Sequence, residues 1–289
     1  MTIHGIVPAM VTPMHEDESL HLAELARQVE RQIAAGAAAV FCLGTNGEFF
    51  ALSAEEKRAV IETTVQAAKG RVPIIAGTGC VTTRDTVHLT RQAKEAGADM
   101  ATVITPYFAG ISQAGILRHF TAVADEGGLP VILYNIPART GVNVAHQTVR
   151  ALSEHPMIVG IKDSSGNFDN TLRYIEETPD DFMVLCGNDS LILWTLLAGG
   201  NGGISGIANL FAERMVSIYT LYATGKLEEA RKAQDSVRVI RDTLKLDNPN
   251  SVVKYAANLL GQPVGPVRSP FGLAEDTREA VAKALLYYA

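Results

Sequence analysis

Short apolar runs alternate with segments of helical spacing along the whole chain. The runs cover residues 5–12, 38–43, 72–79, 100–104, 131–136, 158–162, 182–186 and 203–207. They are rich in β-branched residues and bounded by Gly, Pro or polar positions, the pattern of strands buried on both faces. Between them, Leu22, Leu25, Ala26, Val29 and Ile33 recur every three or four residues, as one face of a helix does. Ser53 and Glu56 form a capping box ahead of a helix towards Lys69. Residues 82–96 and 113–124 predict two more helices, the first closed by Gly97. A strand and its helix or loop recur about every 25–30 residues, the spacing of an α/β fold that closes as a (β/α)8 TIM barrel. The barrel is expected over residues 1–210, with a C-terminal helical extension of about three helices over 211–289. A doubly wound open sheet is the rival, but no Gly-rich dinucleotide turn follows an early strand.

Composition narrows the partners. Hydrophobic residues make up 47% of the chain and charged residues 19%, enough apolar surface for a packed core and too little charge for disorder. The net charge of −6, without a basic stripe, argues against nucleic acid. No apolar run reaches bilayer length, so no membrane contact is expected. The first residues lack a basic segment followed by an apolar one, which predicts a cytoplasmic chain. Cys42, Cys80 and Cys186 sit in apolar, strand-like stretches and read as reduced core thiols. The seven histidines have no zinc-like spacing, and no metal is expected.

In such a barrel the chemistry collects at the C-terminal strand ends. The sixth run ends in Lys162, followed by Asp163, Ser164 and Ser165. An ammonium at a buried strand end is costly to desolvate, which favours a neutral amine able to attack a carbonyl and form a Schiff base. Snorkelling to solvent is the plainer alternative for a lysine there. Gly44-Thr45-Asn46-Gly47-Glu48 ends the second strand. Its glycines and successive N–H groups suit a carboxylate, and the Thr45 hydroxyl adds a donor. Tyr134, near the end of the fifth strand, can shuttle protons or can be an ordinary core tyrosine. Arg139 offers a guanidinium fork for a second carboxylate. Gly199-Gly200-Asn201-Gly202-Gly203 reads as a turn before the eighth strand rather than a phosphate cradle.

Taken together these residues resemble the dihydrodipicolinate synthase / N-acetylneuraminate lyase family of pyruvate-dependent class I aldolases. The carriers are residues 44–48, Thr105-Pro106-Tyr107, residues 134–141, Gly160-Ile161-Lys162-Asp163-Ser164, and Gly202-Gly203-Ile204-Ser205. The resemblance implies a barrel assembled as a homotetramer, with Lys162 as the Schiff-base residue and Tyr134 and Thr45 in proton transfer. It implies Thr45, Asn46 and Gly47 as the carboxylate site for pyruvate. Arg139, Ser164, Asp189, Ile204 and Ser205 are then expected to read the rest of the substrate, with Tyr107 and Phe108 near the site at a subunit interface. No cofactor is needed. Two positions depart from the synthase pattern: Asn46 stands where a second threonine is usual, and Phe108 where a neighbouring subunit supplies a tyrosine. These departures favour cleavage or condensation of a hydroxylated 2-keto acid, a 2-keto-3-deoxy sugar acid or 4-hydroxy-2-oxoglutarate, with pyruvate as one partner and an aldehyde as the other. Condensation of pyruvate with aspartate semialdehyde is the alternative, supported by Arg139. A keto-acid-binding barrel without catalysis is the third reading.

Overall fold

The computed structural model describes residues 2–288 and forms a parallel β/α barrel. Its strands are β1 (Gly5–Pro8), β2 (Val40–Cys42), β3 (Ile74–Gly77), β4 (Met100–Ile104), β5 (Val131–Asn135), β6 (Ile158–Asp163), β7 (Met183–Cys186) and β8 (Gly202–Ser205). Each pairs in parallel with its sequence neighbour from β2 to β8, and β8 pairs with β1. The ring closes between β1 and β2 where Ala9 bridges Phe41 and the Met10 N–H donates to the Phe41 carbonyl at 2.9 Å. Closure leaves no open edge, which is why every strand can be apolar on both faces.

Val7, Phe41, Ile75, Ile132, Leu185 and Ile204 fill the barrel interior and pack into one cluster. A larger cluster lies between the strands and the surrounding helices. The helix Ala54–Ala68 starts at Ser53, whose hydroxyl takes the Glu56 N–H while the Glu56 carboxylate takes the Ser53 N–H. Thr83–Glu95 is capped by Thr82 and stops before Gly97 at φ +94°.

Several strands are shorter than the apolar runs, because pairing stops where the chain turns outward. The register of β1 with β8 ends at Pro8, and beyond it only Ala9 and Met10 still pair, with Phe41, although apolar residues continue to Val11. β6 differs in the other direction. It runs past Lys162 to Asp163, so Lys162 lies inside the ladder, in register with Tyr134 on one side and Leu185 on the other.

The helix Ala212–Ala223 packs on β1 and completes the helical ring, so the boundary expected at 210 precedes it. Among the described residues four α-helices follow: Leu227–Ser236, Arg238–Thr243, Pro249–Leu259 and Glu275–Leu285. Their apolar faces form a second core with Ile192, Leu196 and Met215 on the barrel flank. That core fixes the extension against the barrel and brings its connecting segments to the same end as Lys162. No helix among the described residues is long and apolar enough to cross a membrane.

Candidate active site

Lys162 and Tyr134 are both buried, and the Lys162 Nζ stands 4.0 Å from the centroid of the Tyr134 ring. The Phe41 ring lies 5.1 Å away on the interior side. Among the described residues no carboxylate lies within 4.0 Å of the amine, so it is not tied into an ion pair. The Tyr134 hydroxyl in turn meets the Thr45 hydroxyl at 3.1 Å. β5, β6 and the turn after β2 thus deliver an amine, a phenol and an alcohol to one point.

That point is in a cavity of about 400 Å³ at the barrel mouth. Thr45, Asn46, Tyr134, Arg139, Lys162, Ser164, Asp189 and Ile204 all line it, which brings together eight positions singled out from the sequence. Two of them carry buried polar atoms without a partner, the Ser164 Oγ and the Asp189 Oδ1. Unpaired buried polar atoms are costly, so each is a point of strain beside the cavity. Burial raises the Asp189 carboxyl above the ordinary carboxylate range, against a Ser205 hydrogen bond and the positive charges of Arg241 and Lys162. Gly187 lets the loop after β7 approach: a Cβ there would stand 1.9 Å from the Ser164 Oγ.

Two expectations are corrected by this geometry. In the Gly44–Glu48 turn, successive N–H groups were expected to converge on a carboxylate. The Gly47 N–H instead donates to the Gly44 carbonyl at 3.0 Å and the Glu48 N–H to the Thr45 carbonyl at 3.1 Å. Only the earlier part of the turn faces the cavity, and Gly47 serves the turn itself, its carbonyl accepting from the Thr12 hydroxyl at 2.7 Å. Ser205 does not line the cavity; it is fully buried behind Asp189 and accepts the Ala208 N–H. Tyr107, expected near the site, lines an adjoining cavity of about 240 Å³ with Phe49, Phe50 and Phe271, and that cavity shares Thr45, Arg139 and Asn250 with the first. Phe108 is fully exposed at φ +74°, and its expected place at a subunit interface stands as a proposal.

The sequence reading missed the contribution of the extension. Arg241, Leu244, Asp247, Pro249 and Asn250 form one wall of the same cavity. The Asn250 side chain donates to the Thr45 carbonyl at 2.6 Å, and Arg241 donates to the Asn188 side chain at 3.3 Å. The available signal was the polar turn Asp247-Asn248-Pro249-Asn250, too elaborate for a mere connection between helices. Among the described residues no group of three or more His, Cys, Asp or Glu is arranged to hold a metal ion. Cys42 and Cys186 are buried free thiols, pushed up to about 12 by desolvation, and Cys80 is a partly buried one.

Comparison with known proteins extends this picture over the full chain. The family profile described as the dihydrodipicolinate synthetase family matches residues 2–287. A protein of Methanoculleus marisnigri named 4-hydroxy-tetrahydrodipicolinate synthase is 40% identical over 286 residues, covering 98% of each chain. The dihydrodipicolinate synthase of Acinetobacter baumannii, described as chloride-inhibited and complexed with pyruvate, superposes with a TM-score of 0.96 at 35% identity over 99% of each chain. A monomeric dihydrodipicolinate synthase variant superposes with a TM-score of 0.95 at 31% identity, covering 99% of this chain and 96% of that one.

Proposed function

The chain belongs to the dihydrodipicolinate synthetase family and is a Schiff-base lyase of the class I aldolase type, and from that premise we propose that it condenses pyruvate with aspartate semialdehyde. The observation that carries the proposal is the unpaired Lys162 amine against the Tyr134 ring, with the Tyr134–Thr45 hydroxyl pair beside it. In this reading Lys162 attacks the keto carbon of pyruvate, and Tyr134 and Thr45 pass the protons that let the carbinolamine lose water. The resulting iminium acidifies the methyl group, whose proton passes to the Tyr134 relay; the enamine carbon then attacks the aldehyde carbon to make the new carbon–carbon bond, and the aldehyde oxygen takes the proton back. Water releases the product and regenerates the amine. Thr45 and Asn46 hold the pyruvate carboxylate in this scheme. Two guanidinium groups lining the cavity, Arg139 and Arg241, support an aldehyde that bears a carboxylate. The names of the curated relatives point the same way.

A second reading, cleavage of a hydroxylated 2-keto acid through the same iminium, has its own support. Asn46 and Phe108 depart from the synthase pattern. Assembly as a homotetramer, in which Phe108 would meet a neighbouring copy, is also proposed on family grounds, and the monomeric variant among the similar structures makes it a point to measure by sedimentation. One experiment separates the two reactions. Condensation is followed with pyruvate and aspartate semialdehyde, beside pyruvate release from a panel of 2-keto-3-deoxy acids. Turnover of the semialdehyde alone supports the synthase; turnover of the sugar acids alone replaces it with the aldolase.

A further inference from the structure

Behind the Thr45–Asn46 turn, on the side away from the cavity, two charges are buried together. Glu48 and Lys254 are each about 1% exposed, and the Lys254 Nζ lies 2.6 Å from the Glu48 Oε1. The contact is coulombic more than directional, since that oxygen accepts no hydrogen bond of ordinary angle. The ammonium donates to the Pro266 carbonyl at 2.7 Å, and the other carboxylate oxygen takes the Arg268 N–H at 2.9 Å. Desolvation lowers the Lys254 pKa, partly offset by Glu48. A buried pair of this kind is seldom kept for stability alone, because two apolar side chains of similar volume would serve the fold as well.

Its position supplies another reason. Glu48 ends the turn that carries Thr45 and Asn46, and it sits at φ +54°, a backbone state uncommon for a non-glycine residue. Lys254 is on the helix Pro249–Leu259, four residues after Asn250 and so on the same helical face. Asn250 grips the Thr45 carbonyl while Lys254 grips the Glu48 carboxylate, so one helix face holds the turn at both ends. The segment from Gly265 to Arg268 closes over the pair. Gly265, at φ +68°, passes so near the Met14 carbonyl that a Cβ would stand 1.8 Å from it. An unneutralised Glu48 would also set a negative charge close to where an anionic substrate has to bind.

We infer that Lys254 is a positioning residue for the carboxylate turn: by clamping and neutralising Glu48 it sets the affinity for the keto acid without touching it. The inference rests on the reading that Thr45 and Asn46 hold the pyruvate carboxylate. The test is a steady-state comparison of wild type, Lys254→Met and Glu48→Gln/Lys254→Met, varying pyruvate and the aldehyde separately, with thermal melting alongside. In Lys254→Met the KM for pyruvate is expected to rise at least tenfold while the KM for the aldehyde stays within twofold. The double variant removes the stranded carboxylate and recovers melting temperature lost in the single one, yet keeps a pyruvate KM several-fold above wild type, because the clamp is still missing. If Lys254→Met does not fold, the double variant decides on the same criterion. A folded variant with wild-type pyruvate KM overturns the inference. Equal rises in both KM values overturn it too, since they indicate general loosening. Failure of the wild type to form a reducible adduct with pyruvate would instead overturn the functional reading beneath it.

Discussion

Replacing Tyr134 by Phe removes one oxygen and leaves the ring under the Lys162 amine in place. The structure separates two consequences. The lost contact is a single hydroxyl–hydroxyl hydrogen bond of 3.1 Å to Thr45, which contributes about 0.5–1.5 kcal/mol to stability. For a chain of this size that is a fall of only a few degrees in Tm, at about 2–4 °C per kcal/mol. The loss in catalysis is far larger if the phenol carries protons during carbinolamine collapse. A positioned acid–base group contributes about 10²–10⁴ in rate, or about 2.7–5.4 kcal/mol of barrier at 1.36 kcal/mol per decade. Tyr134→Phe is therefore expected to melt close to wild type while kcat/KM drops at least a hundredfold. Thr45→Val, which removes the same hydrogen bond from its other end, is expected to give a similar stability change. If the two hydroxyls act as one relay, the double variant loses scarcely more rate than Tyr134→Phe alone. The assay is initial rate with both substrates saturating and limiting, beside the rate of borohydride-trapped pyruvate adduct. Activity within tenfold of wild type in Tyr134→Phe, with unchanged adduct formation, would refute the relay.

Three further outcomes are expected. Burial raises the Asp189 carboxyl, so the folded chain keeps that proton at pH values where the unfolded chain has lost it, and stability falls as pH rises from the ordinary carboxylate range through the raised value. Asp189→Asn should melt higher than wild type at neutral pH, with the difference fading in acid, and a lower melting temperature at neutral pH would contradict this. Burial lowers the His119 imidazole to about 4, so its contribution is present at neutral pH and is lost as pH falls from about 6.5 through 4. Denaturant titrations of His119→Asn should lack the wild-type slope in that window; an unchanged slope would assign it elsewhere. Arg241→Leu, distant from the amine in sequence, should raise the KM for an anionic aldehyde at least tenfold with pyruvate KM nearly unchanged, whereas equal use of neutral and anionic aldehydes by wild type would remove the argument for a carboxylate on that wall.

What could be read from the chain was what local chemistry determines. The capping box at Ser53 and Glu56 and the apolar strand Met100–Ile104 depend on near neighbours, and both appear where the spacing put them. Lys162, Tyr134 and Thr45 were legible for a different reason: parallel strands entering one ring bring their ends together, so three distant positions share a cavity. The failures have physical causes as well. Turn N–H groups that look free in a Gly-rich sequence are consumed by the turn's own carbonyls, as at Gly47 and Glu48. Arg241 and Asn250 reach the mouth only because an apolar core docks the extension on the barrel, a contact between residues some two hundred positions apart that no periodicity encodes. Ser205 was expected to face substrate, yet it is fully buried and its hydroxyl accepts the Ala208 N–H. The resemblance to the family was legible from motif order, whereas the choice of aldehyde was not, because Asn46 and Phe108 argue one way and Arg139 the other.

The central claim is a covalent bond between pyruvate and the amine of Lys162. Incubation with pyruvate and borohydride, followed by peptide mass mapping, tests it directly. One reduced pyruvyl adduct is expected, on the peptide containing Lys162, with none in Lys162→Ala. An adduct on any other lysine, or full turnover by Lys162→Ala, would contradict it.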